Sequence, residues 1–437
     1  MLCPKSGEPL TVEDGIYRSS QSEYPSFNGI VWLYRHPGSA LAHWQKKIQD
    51  VFDFSLQKQD QCQQALRQPA LLPSTISRLK RLSEGYAKFL QRTKKILGLI
   101  AEPNTTQEDL SLERVPRQQA ALAYQSTLFR DWVWGQEQIK NYADLLLPHL
   151  TKQKRIAFLG AGACGLPLMI HNQLKPELSL AVDINPFLLI PAKRLLDGES
   201  FAMVEFPQVP KTSKDVYVEH QLQLKGKTAP GFEMAFCDAQ NLNLRQGQLD
   251  TVVTSWFIDI IPRDFRETAK LINSLLPMDG VWVNIGQLGF DKLNLAQVYR
   301  PDEVQEILKE AGFEITHWKT ADIPYLISPH DAVGRMDMVW TFSAQKKSQS
   351  KRPAHFEYMP NWLQNMDTPV PVSNETLAFR TRSEIYNLVI SQVDGHKSIR
   401  TIAKVLTDEF GIPEQEAISS VFNFFANFFE SQIYREF

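Results

Sequence analysis

Residues 155–183 constrain the fold of this chain more than any other stretch. Arg155-Ile-Ala-Phe-Leu159 is an apolar run with the length of a buried strand. Gly160-Ala-Gly162-Ala-Cys-Gly165 follows at once, a helix is expected from Leu166, and Leu178-Ser-Leu-Ala-Val182 is a second buried strand that ends at Asp183. Glycines at 160, 162 and 165 let the backbone approach a ligand closely and let the helix pack against the strand. A carboxylate at the second strand tip can accept hydrogen bonds from both hydroxyls of a ribose. Strand, glycine turn, helix, strand and acid, in that order, predict a nucleotide-type cofactor site on a parallel sheet. Spacing alone does not separate a nicotinamide dinucleotide from S-adenosylmethionine.

The pattern continues downstream. Strands are expected over 250–257 and 280–285, with helices over 186–197 and 264–276 between them. Strands alternating with helices give an α/β fold, a parallel sheet with helices on both faces. Residues 198–235 interrupt the alternation as a long insertion. Asp238 follows a third strand, where methyltransferases often meet the adenine amino group with an acid, and Ser255 closes the fourth strand as a further cofactor contact. Phe313-Glu-Ile-Thr and Met336–Phe342 read as a closing antiparallel hairpin, which ordinary dinucleotide folds lack.

Three blocks, FRDWVWGQEQIKNY (129–142), RIAFLGAGACGLPLMI (155–170) and the long run from Asp250 to Phe290, resemble the carnosine N-methyltransferase-like enzymes, over roughly 120–346. The most specific parts are Phe257-Ile-Asp259 and Trp282-Val-Asn-Ile-Gly286. The resemblance implies a class I, Rossmann-like methyltransferase sheet that uses S-adenosylmethionine. It implies methyl transfer to an imidazole nitrogen of a small histidine derivative, such as a histidine dipeptide or thiohistidine. It gives Arg130 to the cofactor's methionine carboxylate and Asp259 to the acceptor as the catalytic carboxylate. Asp259 as a cap of the segment entering Pro262 is the structural alternative. Trp256 and Phe257 read equally as acceptor walls or core aromatics. The chain departs from the family where a Tyr-His pair becomes Phe290-Asp291, where a proline becomes Gln287, and where tyrosines give way to Arg335-Met-Asp337. Phe290, Asp291, Arg335 and Asp337 are therefore expected to reshape the substrate site.

The flanks carry separate readings. Residues 1–37 form a small β module, and CPKSGEPL with its neighbours resembles the zinc-ribbon-like partners of methyltransferases, with Ser6 standing where a second cysteine would be; no metal is expected. Residues 38–150 read as a helical extension. Its apolar face runs through Leu79, Leu82, Phe89 and Leu97, with a basic face of Arg78, Lys80, Arg81, Lys88, Arg92, Lys94 and Lys95. A second helix is expected over 118–147. The methyltransferase domain spans 151–346, a polar linker 347–375, and a helical, winged-helix-like module 376–437. That last module resembles the peptide chaperone of pyrroloquinoline quinone biosynthesis. The likeness opens a second reading, a methyltransferase for a peptide or protein substrate recruited by 376–437. A third reading is a non-catalytic S-adenosylmethionine-binding scaffold.

Composition narrows the partners. With 47 basic and 49 acidic residues, a formal net charge of −2 gives no global pull toward nucleic acid. No apolar run reaches the roughly 20 residues that span a bilayer, and no secretory signal is visible. The four cysteines (Cys3, Cys62, Cys164, Cys237) lack paired spacing, so neither a zinc site nor a disulfide framework is expected, and the usage fits a reducing cytoplasm. A homodimer is left open.

Overall fold

The computed structural model describes residues 2–13, 15–102, 125–152, 154–245, 247–292, 294–373 and 383–433. In chain order the elements begin with short strands β1 (Thr11–Glu13), β2 (Ile16–Arg18), β3 (Glu23–Tyr24), β4 (Ser26–Phe27) and β5 (Ile30–Trp32). Long helices α1 (Pro37–Ala65) and α2 (Pro73–Leu97) follow, then α3 (Gln125–Phe129), a π-helical turn (Arg130–Trp134) and α4 (Gln136–Leu146). The helix expected over 118–147 is thus broken at Arg130, and residues 118–124 lie outside the described residues. The sheet region runs β6 (Arg155–Leu159), α5 (Gly165–Leu174), β7 (Leu178–Asp183), α6 (Pro186–Leu196), β8 (Ser200–Glu205), β9 (Val218–Gln223) and β10 (Phe232–Phe236). It ends with β11 (Thr251–Ser255), α7 (Phe265–Leu275), β12 (Val281–Gly286), α8 (Pro301–Glu310), β13 (Phe313–Tyr325) and β14 (Arg335–Lys346).

The central sheet has the order β13-β14-β12-β11-β6-β7-β10-β5-β4. From β12 to β10 all neighbours are parallel, and β14 inserts antiparallel between β12 and β13. From β6 the chain winds one way through β7 and β10 and the other through β11 and β12. The point of reversal lies between β6 and β11, where open α/β sheets bind ligands beyond their carboxyl ends. This order is the parallel sheet expected from the alternation, and with its terminal antiparallel hairpin it is the class I methyltransferase sheet that the resemblance implies. The central strands are mostly apolar because helices cover both faces: β12 is buried at every position.

The flanks are less independent than their composition suggests. β5 pairs in parallel with β10 through Val31↔Ala235 and Trp32↔Phe236, so the N-terminal module lengthens the main sheet. Trp32 packs on Phe236 in the core that also takes Trp44, Phe89 and Leu97 from the helical extension. The Ser6 backbone N–H donates to the Cys3 thiol, which also meets the Tyr24 hydroxyl at 3.0 Å. Among the described residues no group of three or more His, Cys, Asp or Glu side chains is placed to hold a metal. No described helix is long and apolar enough to cross a membrane.

The basic face of α2 turns toward the insertion rather than outward alone. Gly85 leaves room for the Tyr217 ring, which would lie 2.6 Å from a Cβ there. Arg81 stacks on that ring, and Arg92 pairs with Glu219 at 2.7 Å.

The 347–375 stretch is only partly a connector. Residues 352–357 run over the sheet domain. Arg263 donates to the Ala354 carbonyl, the Asn241 side-chain amide exchanges two hydrogen bonds with the Phe356 backbone, and Arg35 pairs with Glu357. Met359, Leu363 and Val370 then enter the core of the last module. That module contains α9 (Asn361–Gln364), α10 (Glu384–Ser391), α11 (Ile399–Phe410) and α12 (Glu414–Ile433). Its only β pairing among the described residues is the bridge Pro369↔Ser398.

Candidate functional site

A cleft of about 1090 Å³, counted to its open mouth, lies at the carboxyl ends of β6, β7, β10 and β11. Arg130, Gly160, Gly162, Asp183, Asp238, Ser255, Trp256 and Phe257 all line it. The floor is the glycine loop. Gly160 has φ +69, and a Cβ there would lie 2.7 Å from the Phe257 ring, so both its conformation and its neighbour demand glycine. Gly162 has φ +58, with open space where a side chain would go.

Asp183 is fixed by its surroundings. Its Oδ2 accepts from the Gly162 N–H at 2.8 Å and its Oδ1 from the Asn185 N–H at 2.9 Å. Burial raises its pKa to about 6, against the pull of those backbone donors. Asp238 caps the turn that begins at Ala239 and accepts from Gln240 and Asn241, while burial pushes its carboxyl up as well. That turn is held from behind by Arg263, whose guanidinium donates to the Gln240 carbonyl at 2.5 Å.

The π-turn before α4 supplies a feature the sequence did not signal. Arg130 is buried and donates through Nε and Nη2 to Oδ1 of Asp131, at 2.8 and 2.7 Å. The other Asp131 oxygen accepts the Gly165 N–H at 2.8 Å, at the start of α5. Trp132 adds a hydrogen bond from its indole to the Ala163 carbonyl. Gly165 itself does not line the cleft; it sits behind the loop against Asp131, where a Cβ would be 2.6 Å from the Asp131 carboxyl carbon. An acid beside an arginine in sequence reads as an ordinary ion pair; only the fold brings it to the loop.

One wall is aromatic. Trp256 adopts φ +46, rare for a bulky residue, and its ring lies 4.8 Å from Tyr142 and 5.1 Å from Tyr325. The Tyr142 hydroxyl donates to the Pro324 carbonyl at 2.6 Å, tying α4 to the β13–β14 hairpin. Tyr142 and Tyr325 were not among the residues expected from sequence, because nothing local marks them.

Asp259 stands one residue from the wall formed by Ile260, Ile261 and Pro262 and is not itself on it. Its side chain is buried, Oδ2 accepts the Gly289 N–H at 3.2 Å, and Oδ1 has no hydrogen-bond partner among the described residues. Burial raises its pKa to about 6. The remaining expected substrate residues lie elsewhere. Phe290 is buried among Phe265 and Tyr299 and does not reach the cleft, because the apolar face of α7 takes up its ring. Asp291 is exposed on the same loop. Asp337 is buried and pairs with Arg335 at 2.8 Å, and Arg335 covers the Tyr325 ring at 4.4 Å, so both stand behind that ring rather than on the cleft surface.

No protein-family model matches the chain, and no curated protein matches it. It is similar to solved methyltransferase structures. One, an S-adenosylmethionine-dependent methyltransferase from Methanosarcina mazei, is 14% identical, over 46% of this chain and 96% of that one, with a TM-score of 0.33. Magnesium protoporphyrin IX methyltransferase from Synechocystis, with bound S-adenosylmethionine, is 15% identical, over 64% and 100%, with a TM-score of 0.31. A phosphoethanolamine N-methyltransferase from Haemonchus contortus is 13% identical, over 53% and 58%, with a TM-score of 0.34. At these scores the fold assignment rests on the strand order of the sheet itself.

Proposed function

We propose that the protein is an S-adenosylmethionine-dependent N-methyltransferase acting on an imidazole nitrogen of a small histidine derivative. The observation that carries the cofactor assignment is the joint position of Asp183, Asp238 and the glycine loop around one cleft at the reversal point of the sheet. S-adenosylmethionine supplies a methyl group already activated on a positively charged sulfur. Asp183 would take the ribose hydroxyls, Asp238 the adenine edge, and Arg130 the carboxylate of the methionine part. The Asp131 pair fixes the Arg130 guanidinium through Nε and Nη2, so Nη1 is the end that can face a carboxylate. Trp256, Tyr142 and Tyr325 wall the cleft with aromatic rings.

The acceptor assignment rests on the family resemblance and on Asp259. An imidazole becomes nucleophilic at one nitrogen when a carboxylate accepts the N–H of the other, and the same carboxylate stabilises the charge that develops on the ring. Asp259 Oδ1 is a buried acceptor without a partner among the described residues, one residue from the cleft wall. Holding the two reactants in line can contribute roughly 7–11 kcal/mol in favourable cases. Calorimetry with S-adenosylmethionine tests the cofactor half: binding that survives Asp183→Ala unchanged would overturn it.

A further inference from the structure

We infer that Arg335 and Asp337 are positioning residues for Arg130: they clamp the Tyr325 ring, and a stack of three rings carries that constraint along the cleft wall to the guanidinium at its other end. The inference rests on the proposed role of Arg130 toward the methionine carboxylate. The stack is continuous. The Arg335 guanidinium lies over the Tyr325 ring at 4.4 Å. Tyr325 meets Trp256 at 5.1 Å, Trp256 meets Tyr142 at 4.8 Å, and Arg130 lies over Tyr142 at 5.7 Å. Arg130 and the three rings line the cleft, whereas Arg335 stands outside it. The two ends are built alike. Asp131 holds Arg130 through Nε and Nη2, and Asp337 holds Arg335 through the same two nitrogens, at 2.8 and 3.1 Å. A paired grip fixes the plane of a guanidinium as well as its place, and a cation over a ring face is the arrangement that the ring's charge distribution favours.

The sheet explains why a clamp is needed there. β14 pairs with β12 only as far as Trp340, so the end of the hairpin from Arg335 to Val339 pairs with β13 alone. Tyr325 and Arg335 are direct partners at that overhanging end. Tyr142 is tied to it twice, by its hydroxyl on the Pro324 carbonyl and through Trp256. Whatever sets the hairpin end therefore sets Tyr142, and with it the ring beneath Arg130. A surface ion pair contributes little by itself. Here Asp337 is buried while the Arg335 side chain is 57% exposed, so the buried acid holds the exposed arginine against the ring. Trp256, in the middle of the stack, keeps φ +46, a strained backbone of the kind that gathers at ligand sites. The stack also gives a role to Arg335-Met-Asp337, where the chain departs from the family pattern.

The test compares two ligands by calorimetry on the full chain. S-adenosylhomocysteine carries the carboxylate. Methylthioadenosine has the same adenosine and sulfur without the amino-acid part, so it does not sense Arg130. Arg335→Met keeps an apolar stem over Tyr325 and removes the guanidinium. It is expected to weaken S-adenosylhomocysteine about fivefold, the equilibrium factor of one cation–ring contact, and to leave methylthioadenosine unchanged. Asp337→Asn, which breaks the grip, should act in the same way, and it serves alone should Arg335→Met fail to fold. In an Arg130→Met background, Arg335→Met should change neither ligand further, because a residue that acts through another then has nothing to move. Equal losses for both ligands in folded Arg335→Met, no loss at all, or a further loss in the Arg130→Met background would overturn the inference, since a merely structural pair loosens the whole cleft. Wild-type protein that binds neither ligand would instead remove the cofactor reading, and the inference with it.

Discussion

The Asp131 carboxylate fills the space that a side chain at residue 165 would need. It accepts the Gly165 N–H at 2.8 Å, and a Cβ at 165 would lie 2.6 Å from its carboxyl carbon. The third glycine of the loop therefore serves the π-turn that carries Arg130. Gly165→Ala should displace Asp131, release Arg130 and cost about 1–3 kcal/mol of stability, the usual range for overpacking. Thermal unfolding with calorimetric titration of S-adenosylmethionine checks both; a variant with native melting and native affinity would remove the link.

Asp183 gives the cofactor site a pH dependence. Its pKa is raised to about 6 by burial, so the folded chain holds a proton that the unfolded chain releases near 3.8. The sign follows: this group's contribution to stability is greatest below 3.8 and is lost as pH rises through about 6. Ligand binding runs the other way, because only the carboxylate can accept from two ribose hydroxyls. Affinity for S-adenosylmethionine is expected to weaken as pH falls below about 6, and Asp183→Asn should flatten that dependence while weakening binding at neutral pH. Calorimetry across pH 5 to about 8 covers the window in which burial-shifted carboxyls titrate.

Asp259→Asn should leave cofactor affinity unchanged and reduce turnover by orders of magnitude, since the amide can donate where the reaction needs an acceptor. Removal of a preorganised electrostatic group typically costs about 10²–10³ in rate. Kinetics and calorimetry on the same preparation separate the two effects.

The segment 352–357 makes a separate prediction about stability. Asn241 accepts the Phe356 N–H at 2.7 Å and donates to its carbonyl at 3.0 Å, one residue from the cleft-lining Gln240. Asn241→Ala should lower stability by about 1–2 kcal/mol through loss of two hydrogen bonds and loosen the turn that holds Asp238. Hydrogen exchange of residues 238–242 would register the loosening.

Much of the sheet was legible because its signals are local. β6, β7 and α6 follow their apolar runs, and the Asp183 position follows from where β7 ends. Contacts between distant segments were not. Nothing in Gly29–Tyr34 announces that β5 will pair with β10, and the π-turn at Arg130 breaks a helix whose periodicity runs on through it. Tyr142 and Tyr325 reach the cleft only because the hairpin of β13 and β14 folds back over α4. Phe290 reads equally well as a pocket wall or a core ring, and the neighbouring Phe265 and Tyr299 decide it.

The account is tested most directly by incubating the protein with methyl-labelled S-adenosylmethionine and a panel of histidine derivatives, with products read by mass spectrometry and the methyl position by NMR. The expected result is one histidine derivative carrying a single labelled methyl on a ring nitrogen. Bound cofactor with no labelled imidazole product, or label found only on a peptide or protein, would contradict it.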